Sequence, residues 1–229
     1  IRKNLKYSLI ENLLFNERRQ KDSIKLFEIS DVYKIENNQV RKEKILGVIA
    51  SGRVGKNYID FSKKIDEKYL LDIYESMFKG KTIEIEDISR ANIDTKIKNK
   101  ISYFEVNLKN AKLNTPKNNQ DIFKLSNFIK YKKISDFPSS TRDLSFSIKD
   151  SKDLELLQDK VNNFNHLLLK EIFIFDFFYN EKLDEIKIGY RFTFQSNEMT
   201  LTDDIVDRVL DDIIKITTGL NSVNIPGLK

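Results

Sequence analysis

The sequence predicts an α+β protein in two parts, and three observations carry that reading. In residues 1–108, stretches with the 3.6-residue apolar period of helices are mixed with short runs of β-forming residues. Residues 110–120 then lose all periodicity and gather Asn, Lys, Thr and Pro116, the chemistry of a linker. From residue 141 onward, segments that alternate apolar and polar are separated by amphipathic helical segments, in the order β-α-β-β-α-β. The division falls near Ser135, giving a segment with its linker over 1–134 and a second domain over 135–229.

Taken in order, residues 5–15 carry Leu5, Leu9, Leu13 and Leu14 at helical spacing and stop at a polar cluster. Residues 24–35, with Leu26, Phe27, Ile29, Val32 and Tyr33, form a strand. Residues 45–50 are continuously apolar up to Ser51 and Gly52, the pattern of a strand buried on both faces. Leu70, Ile73, Tyr74 and Met77 share one face of a helix over 69–78, and strands follow at 82–88 and 101–108. A short element is expected at 122–129. In the second part, Leu144, Phe146 and Ile148 alternate with Asp143, Ser145 and Ser147 along a half-buried strand. A helix over 150–165 has Leu154, Leu157, Val161 and Phe164 at helical spacing, and 169–179 is an aromatic strand. Residues 187–195 alternate again, with Ile188, Tyr190, Phe192 and Phe194 facing one way. Thr202 is the expected N-cap of a helix ending at Gly219, with Asp203 and Asp204 in its first turn, and 223–225 is a last short strand. This order is the ferredoxin-like split arrangement, four antiparallel strands with both helices on one face.

Composition narrows the function. With 40% hydrophobic and 33% charged residues the chain is globular rather than disordered, and no apolar run has the length of a membrane span. It begins at Ile1, so upstream sequence is expected to be missing. The abundance of Lys, Asn and Ile points to an AT-rich genome, such as that of an organelle or a reduced bacterium. Cysteine is absent, which removes disulfides, thiolate metal sites and cysteine nucleophiles. His166 is the single histidine, so neither a Ser/His/Asp triad nor a histidine metal site has a second member, and it reads as a cap or surface residue. Gly52-Arg53-Val54-Gly55 lacks the lysine and hydroxyl of a phosphate loop and reads as a tight turn. Asp203, Asp204, Asp207, Asp211 and Asp212 spread over a solvated helix face rather than converging on a cation. Neither a catalytic constellation nor a metal site is expected. Charge is divided unevenly: residues 1–134 hold 29 Lys+Arg against 18 Asp+Glu, a surplus of eleven, whereas residues 135–229 hold 11 against 17, a net charge of −6.

Three stretches of the second part carry a resemblance. They are Phe137-Pro138-Ser139-Ser140-Thr141-Arg142-Asp143-Leu144-Ser145, Ile172-Phe173-Ile174-Phe175-Asp176, and Gly189-Tyr190-Arg191-Phe192-Thr193-Phe194-Gln195 continuing to Thr200-Leu201-Thr202-Asp203-Asp204. Together they resemble the ferredoxin-fold anticodon-binding domain of phenylalanyl-tRNA synthetase, with Phe178 where that family usually has tyrosine. Residues 13–20, Leu26-Phe27-Glu28-Ile29, Tyr33 and Tyr103-Phe104-Glu105-Val106-Asn107-Leu108 resemble the catalytic-like domain of the β subunit of the same enzyme, a class II synthetase-like α+β segment without its chemistry. The resemblance implies a non-catalytic subunit of phenylalanine-tRNA ligase in a plastid stroma or a bacterial cytoplasm. It would sit in an α2β2 heterotetramer, with tRNA(Phe) and the α subunit as partners and neither DNA nor a membrane. ATP and Mg2+ belong to the whole enzyme and are not bound by this segment.

By strand parity, Asp143, Ser145, Ser147, Gly189, Arg191, Thr193 and Gln195 lie on the uncovered face of the sheet, where short polar groups and an arginine suit RNA. The tRNA-binding residues expected from pattern and resemblance together are Arg142, Asp143, Ser145, Asp176, Arg191, Thr193 and Gln195. For Arg142 and Arg191 the competing expectation is a salt bridge to Asp143 or Asp176 that stabilises the sheet. A ferredoxin-like protein-interaction or regulatory module without RNA binding is the rival for the whole domain.

Overall fold

The computed structural model describes residues 2–80, 83–91, 93, 95–114 and 133–227. The chain divides into two compact units: Ile1–Gly55 with Ser62–Ile129, and Lys56–Phe61 with Lys130–Lys229. The element expected at 122–129 lies outside the described residues.

In the first unit the elements are α1 (Lys6–Glu17), β1 (Ser23–Glu36), β2 (Gln39–Gly52), α2 (Glu67–Met77), β3 (Glu86–Asp87) and β4 (Ile101–Asn107). Its antiparallel sheet has the order β1-β2-β4-β3. Asn37 and Asn38, at φ 52° and 58°, make the two-residue turn joining β1 to β2, a backbone that asparagine tolerates better than most residues. As its unbroken apolar run predicts, the second half of β2, from Ile45 onward, is buried on both sides. Ile45 and Ile49 pack with Leu5, Leu9 and Leu13 of the α1 segment, and Leu46 and Ala50 pack with Leu70 and Tyr74 of α2. Gly47 permits the close approach of the first layer, since a Cβ there would stand 3.0 Å from both Leu5 Cβ and Leu9 Cδ1.

The start of α1 is capped from the sheet, because Leu5 at the N-cap has no capping side chain. Glu105 on β4 accepts the Leu5 N–H at 2.6 Å and also the Tyr103 hydroxyl. Burial, with the Glu105 bond adding to it, holds the Tyr103 hydroxyl well above the ordinary tyrosine range. The far end of α1 is tied down by Glu17, 3% exposed at its side chain, whose carboxylate receives two bonds from Arg90 at 2.6 and 3.1 Å. The strand expected at 82–88 is shorter than its alternation suggests. Among its described residues only Glu86 and Asp87 pair, with Tyr103 and Ser102, while Ile83 and Ile85 pack on the α2-side core.

The second unit contains β5 (Ser140–Ile148), α3 (Ser151–Asn162), β6 (Leu169–Asn180), β7 (Glu185–Phe194), α4 (Asp203–Thr218) and β8 (Val223–Asn224). The sheet order β6-β7-β5-β8, antiparallel throughout, is the ferredoxin-like topology. Leu144, Phe146 and Ile148 of β5 and Ile188, Tyr190, Phe192 and Phe194 of β7 meet Leu157 and Val161 of α3 and Val206, Val209 and Ile213 of α4 in one core. Asp150 caps α3 by accepting the Lys152 N–H at 2.9 Å. Thr202 holds the N-cap position of α4 but makes no side-chain cap bond.

Tyr190 is 1% exposed, and its hydroxyl finds no hydrogen-bond partner, so burial pushes that group up to about 12. An unmet buried hydroxyl costs roughly 1–3 kcal/mol. Tyr190→Phe should therefore stabilise the domain by about 1 kcal/mol, seen as a higher midpoint in urea with an unchanged slope. A lower midpoint would show that the hydroxyl is satisfied in solution.

Candidate nucleic-acid interface

Register decides which side chains reach the face opposite α3 and α4. Along β5 and β7 the pairs Asp143↔Arg191, Ser145↔Gly189 and Thr141↔Thr193 alternate with core pairs such as Leu144↔Tyr190. Asp143, Ser145, Arg191 and Thr193 therefore share the face that the helices leave uncovered. On β6, Asp176 pairs with Gly189 of β7 and joins them. Among the expected site residues the structure thus brings five together.

The other two are placed differently. Arg142 pairs with the core residue Phe192, which turns it to the helix side of the sheet. There it donates to Asp203 at 2.6 Å and to Asp207 at 2.8 Å on the first turns of α4, and these two bonds raise it further above the usual arginine value. Its partners are neither Asp143 nor Asp176. Gln195 lies just past the end of β7, and its amide donates to the Phe137 carbonyl at 2.6 Å while its oxygen accepts from Lys170. It fastens the segment leading into β5. The salt bridge expected for Arg191 does form, with Nε and Nη2 reaching the two oxygens of Asp143 at 2.7 and 2.6 Å. That fork fixes the guanidinium plane, so the arginine lies pre-oriented on the face at low entropic cost.

Sequence reasoning missed the aromatic part of this face. Inward burial of the β7 aromatics follows from alternation, but β6 adds Phe173 opposite Arg191 and Phe175 over Gly189. A register shift between Ile174 and Asp176 breaks the two-residue period, so simple counting mislocates everything beyond it. Gly189 is required by the same contact, since a Cβ there would come within 2.7 Å of the Phe175 ring.

The face is also not bare. Within this unit the segment Lys56–Phe61 folds through an Asx turn, Asn57 Oδ1 accepting the N–H groups of Ile59 and Asp60 at 3.0 Å. It sets the Phe61 ring 5.7 Å from Phe173 and 5.6 Å from Phe175, with the Arg191 guanidinium 4.8 Å from the Phe61 centroid. Lys56 pairs with Glu171 at 2.7 Å, and Tyr58 stands 5.6 Å from Phe177. The exposed remainder lies around Asp143 and Ser145 on β5, with Asp176 exposed on β6.

His166 behaves as a turn residue, its Nδ1 accepting the Leu168 N–H at 3.2 Å. Among the described residues no three His, Cys, Asp or Glu side chains converge as metal ligands. No helix among them is long and apolar enough to cross a membrane.

Comparison with known proteins gives two family matches. Residues 135–222 match the ferredoxin-fold anticodon binding domain, and residues 1–100 match the phenylalanyl tRNA synthetase beta chain CLM domain. The chain is similar to the chloroplastic phenylalanine–tRNA ligase beta subunit of Pyropia yezoensis, 26% identical over 90% of this chain and 33% of that protein. The Fusobacterium nucleatum beta subunit is 28% identical over 94% of this chain and 30% of that protein. A third, from Syntrophus aciditrophicus, is 35% identical over 39% of this chain and 11% of that protein. The chain thus spans about a third of the length of the full-length relatives it matches.

Proposed function

Since the chain belongs to the phenylalanyl-tRNA synthetase β-chain family, we propose that it contributes tRNA(Phe) binding and assembly with the α subunit to ATP-dependent aminoacylation. Residues 135–229 form the anticodon-binding domain and residues 1–134 the catalytic-like segment with its linker, within an α2β2 enzyme. ATP, phenylalanine and Mg2+ are handled mainly by the α chain. The chloroplastic and bacterial relatives favour a plastid stroma or a bacterial cytoplasm.

The observation that carries the reading is the forked Asp143–Arg191 pair at the centre of a sheet face without helices, in a unit whose topology is that of the matched domain. The Arg191 guanidinium, forked onto Asp143 beside the Phe61 ring, brings positive charge to the face, and Ser145 and Thr193 carry hydroxyls beside it. Asp143 and Asp176 accept from base amino groups and discourage non-specific phosphate binding.

Arg191→Ala in the full-length subunit, assembled with its α partner, should weaken tRNA(Phe) binding about tenfold, the worth of a charge-assisted hydrogen bond. Asp143→Ala keeps the arginine but loses its orienting fork and one base acceptor, and should weaken binding less than Arg191→Ala does. Filter binding at moderate salt separates the two. Unchanged affinity in Arg191→Ala would remove that residue from the interface, and equal losses in both variants would mean that the pair only holds the sheet together.

A further inference from the structure

The cation surplus of this chain lies outside the domain that meets the anticodon. Residues 135–229 carry a net charge of −6 and residues 1–134 a surplus of eleven positive charges, so long-range attraction for a polyanion originates in residues 1–134. A dense exposed concentration of it is the stretch 95–100. Thr95, Ile97 and Asn99 are partly buried, whereas Lys96, Lys98 and Lys100 are exposed. Where a chain is extended, this two-residue repeat spaces successive cations about 7 Å apart along one side.

The strip is pinned to a rigid base. The Asn99 carbonyl accepts from Arg90, which is itself forked onto the buried Glu17. A recess of 340 Å³ is lined by Arg18 and Lys96, and a neighbouring one of 580 Å³ by Arg90, Lys98 and Lys100; both also include Thr95 and Ile97. The carboxylates lining these recesses are engaged, Glu17 by Arg90 and Asp87 by Lys100 at 3.4 Å.

The chemistry selects among partners. Protein interfaces are depleted of lysine and depend on apolar or aromatic anchors. Here the lining apolar residues, Leu14, Ile88 and Ile97, are buried or half-buried and present no such anchor. Lysines are compact, strongly hydrated charges that suit phosphates and read no bases. We infer that Lys96, Lys98 and Lys100, with Arg18, form a second RNA contact that takes backbone phosphates of the tRNA outside its anticodon region. This inference rests on the tRNA-binding reading above.

The test is the triple variant K96A/K98A/K100A in the full-length subunit assembled with its α partner, titrated with a tRNA(Phe) transcript over a salt series. Three lost phosphate contacts should make the slope of log K against log salt shallower by about 2 and weaken low-salt binding at least tenfold. A non-cognate tRNA should lose as much, and the melting temperature should not move. Wild-type binding with an unchanged slope in the variant overturns this inference alone. A loss of α-subunit association in gel filtration overturns it in favour of a protein partner. A wild-type enzyme that retains no tRNA overturns the reading beneath it.

Discussion

Arg90→Ala should destabilise the first unit by about 3–5 kcal/mol, the range found when one member of a buried ion pair is removed. The Arg90 side chain is 15% exposed and that of Glu17 3%, so the carboxylate left behind has almost no route to water. The arginine also donates to the Ser51 hydroxyl at 3.1 Å and to the Asn99 carbonyl, joining the end of α1, the end of β2 and the stretch before β4. Differential scanning calorimetry of the variant should show an earlier transition. Glu17→Gln combined with Arg90→Met, which removes both charges while keeping bulk, should recover most of the loss. A single variant as stable as wild type would mean that Glu17 reaches solvent.

Gly52→Ala carries the second large effect, about 4 kcal/mol, from backbone strain together with overlap. The residue sits at φ 96°, and a Cβ would lie 2.0 Å from the Asp22 carbonyl oxygen. That oxygen is already held by the Arg53 N–H at 2.6 Å, so the carbonyl cannot swing aside without breaking the junction of β1 and β2. Gly80 provides the control: its φ of 80° is equally left-handed, but nothing lies within 4 Å of a Cβ there. Gly80→Ala should cost only about 1 kcal/mol. Equal losses in a urea titration of the two variants would remove the steric part of the argument.

These sites show what the sequence discloses and what it withholds. Alternation and helical period located α1, α2, β5, α3, β7 and α4, because each element has one buried face and its residues sort onto it. The two-faced burial of β2 was legible for the complementary reason, an apolar run without alternation. The partners of Arg142 were not legible: parity turns residue 142 to the side opposite Asp143 and Ser145, and Asp203 and Asp207 lie some sixty residues away. Phe173 and Phe175 gave no sign of their side because residues 172–175 are apolar at every position, and the register shift beyond Ile174 exists only once β6 has a neighbour. The Arg90–Glu17 pair and the seat of Phe61 connect residues far apart in sequence, and no local pattern announces either.

The second unit's sheet divides its labour between odd and even positions. Along β5 and β7 one set of side chains belongs to the packed core and the other to the surface opposite, so surface residues are able to diverge among relatives while the fold is inherited unchanged. Under the proposed function, a change in RNA preference would be recorded at positions such as 143, 145, 191 and 193, with 144, 146, 190 and 192 held by the core. Gly189 breaks that independence: its missing side chain seats the Phe175 ring, so any gain of bulk there displaces that ring and reshapes the surface around it.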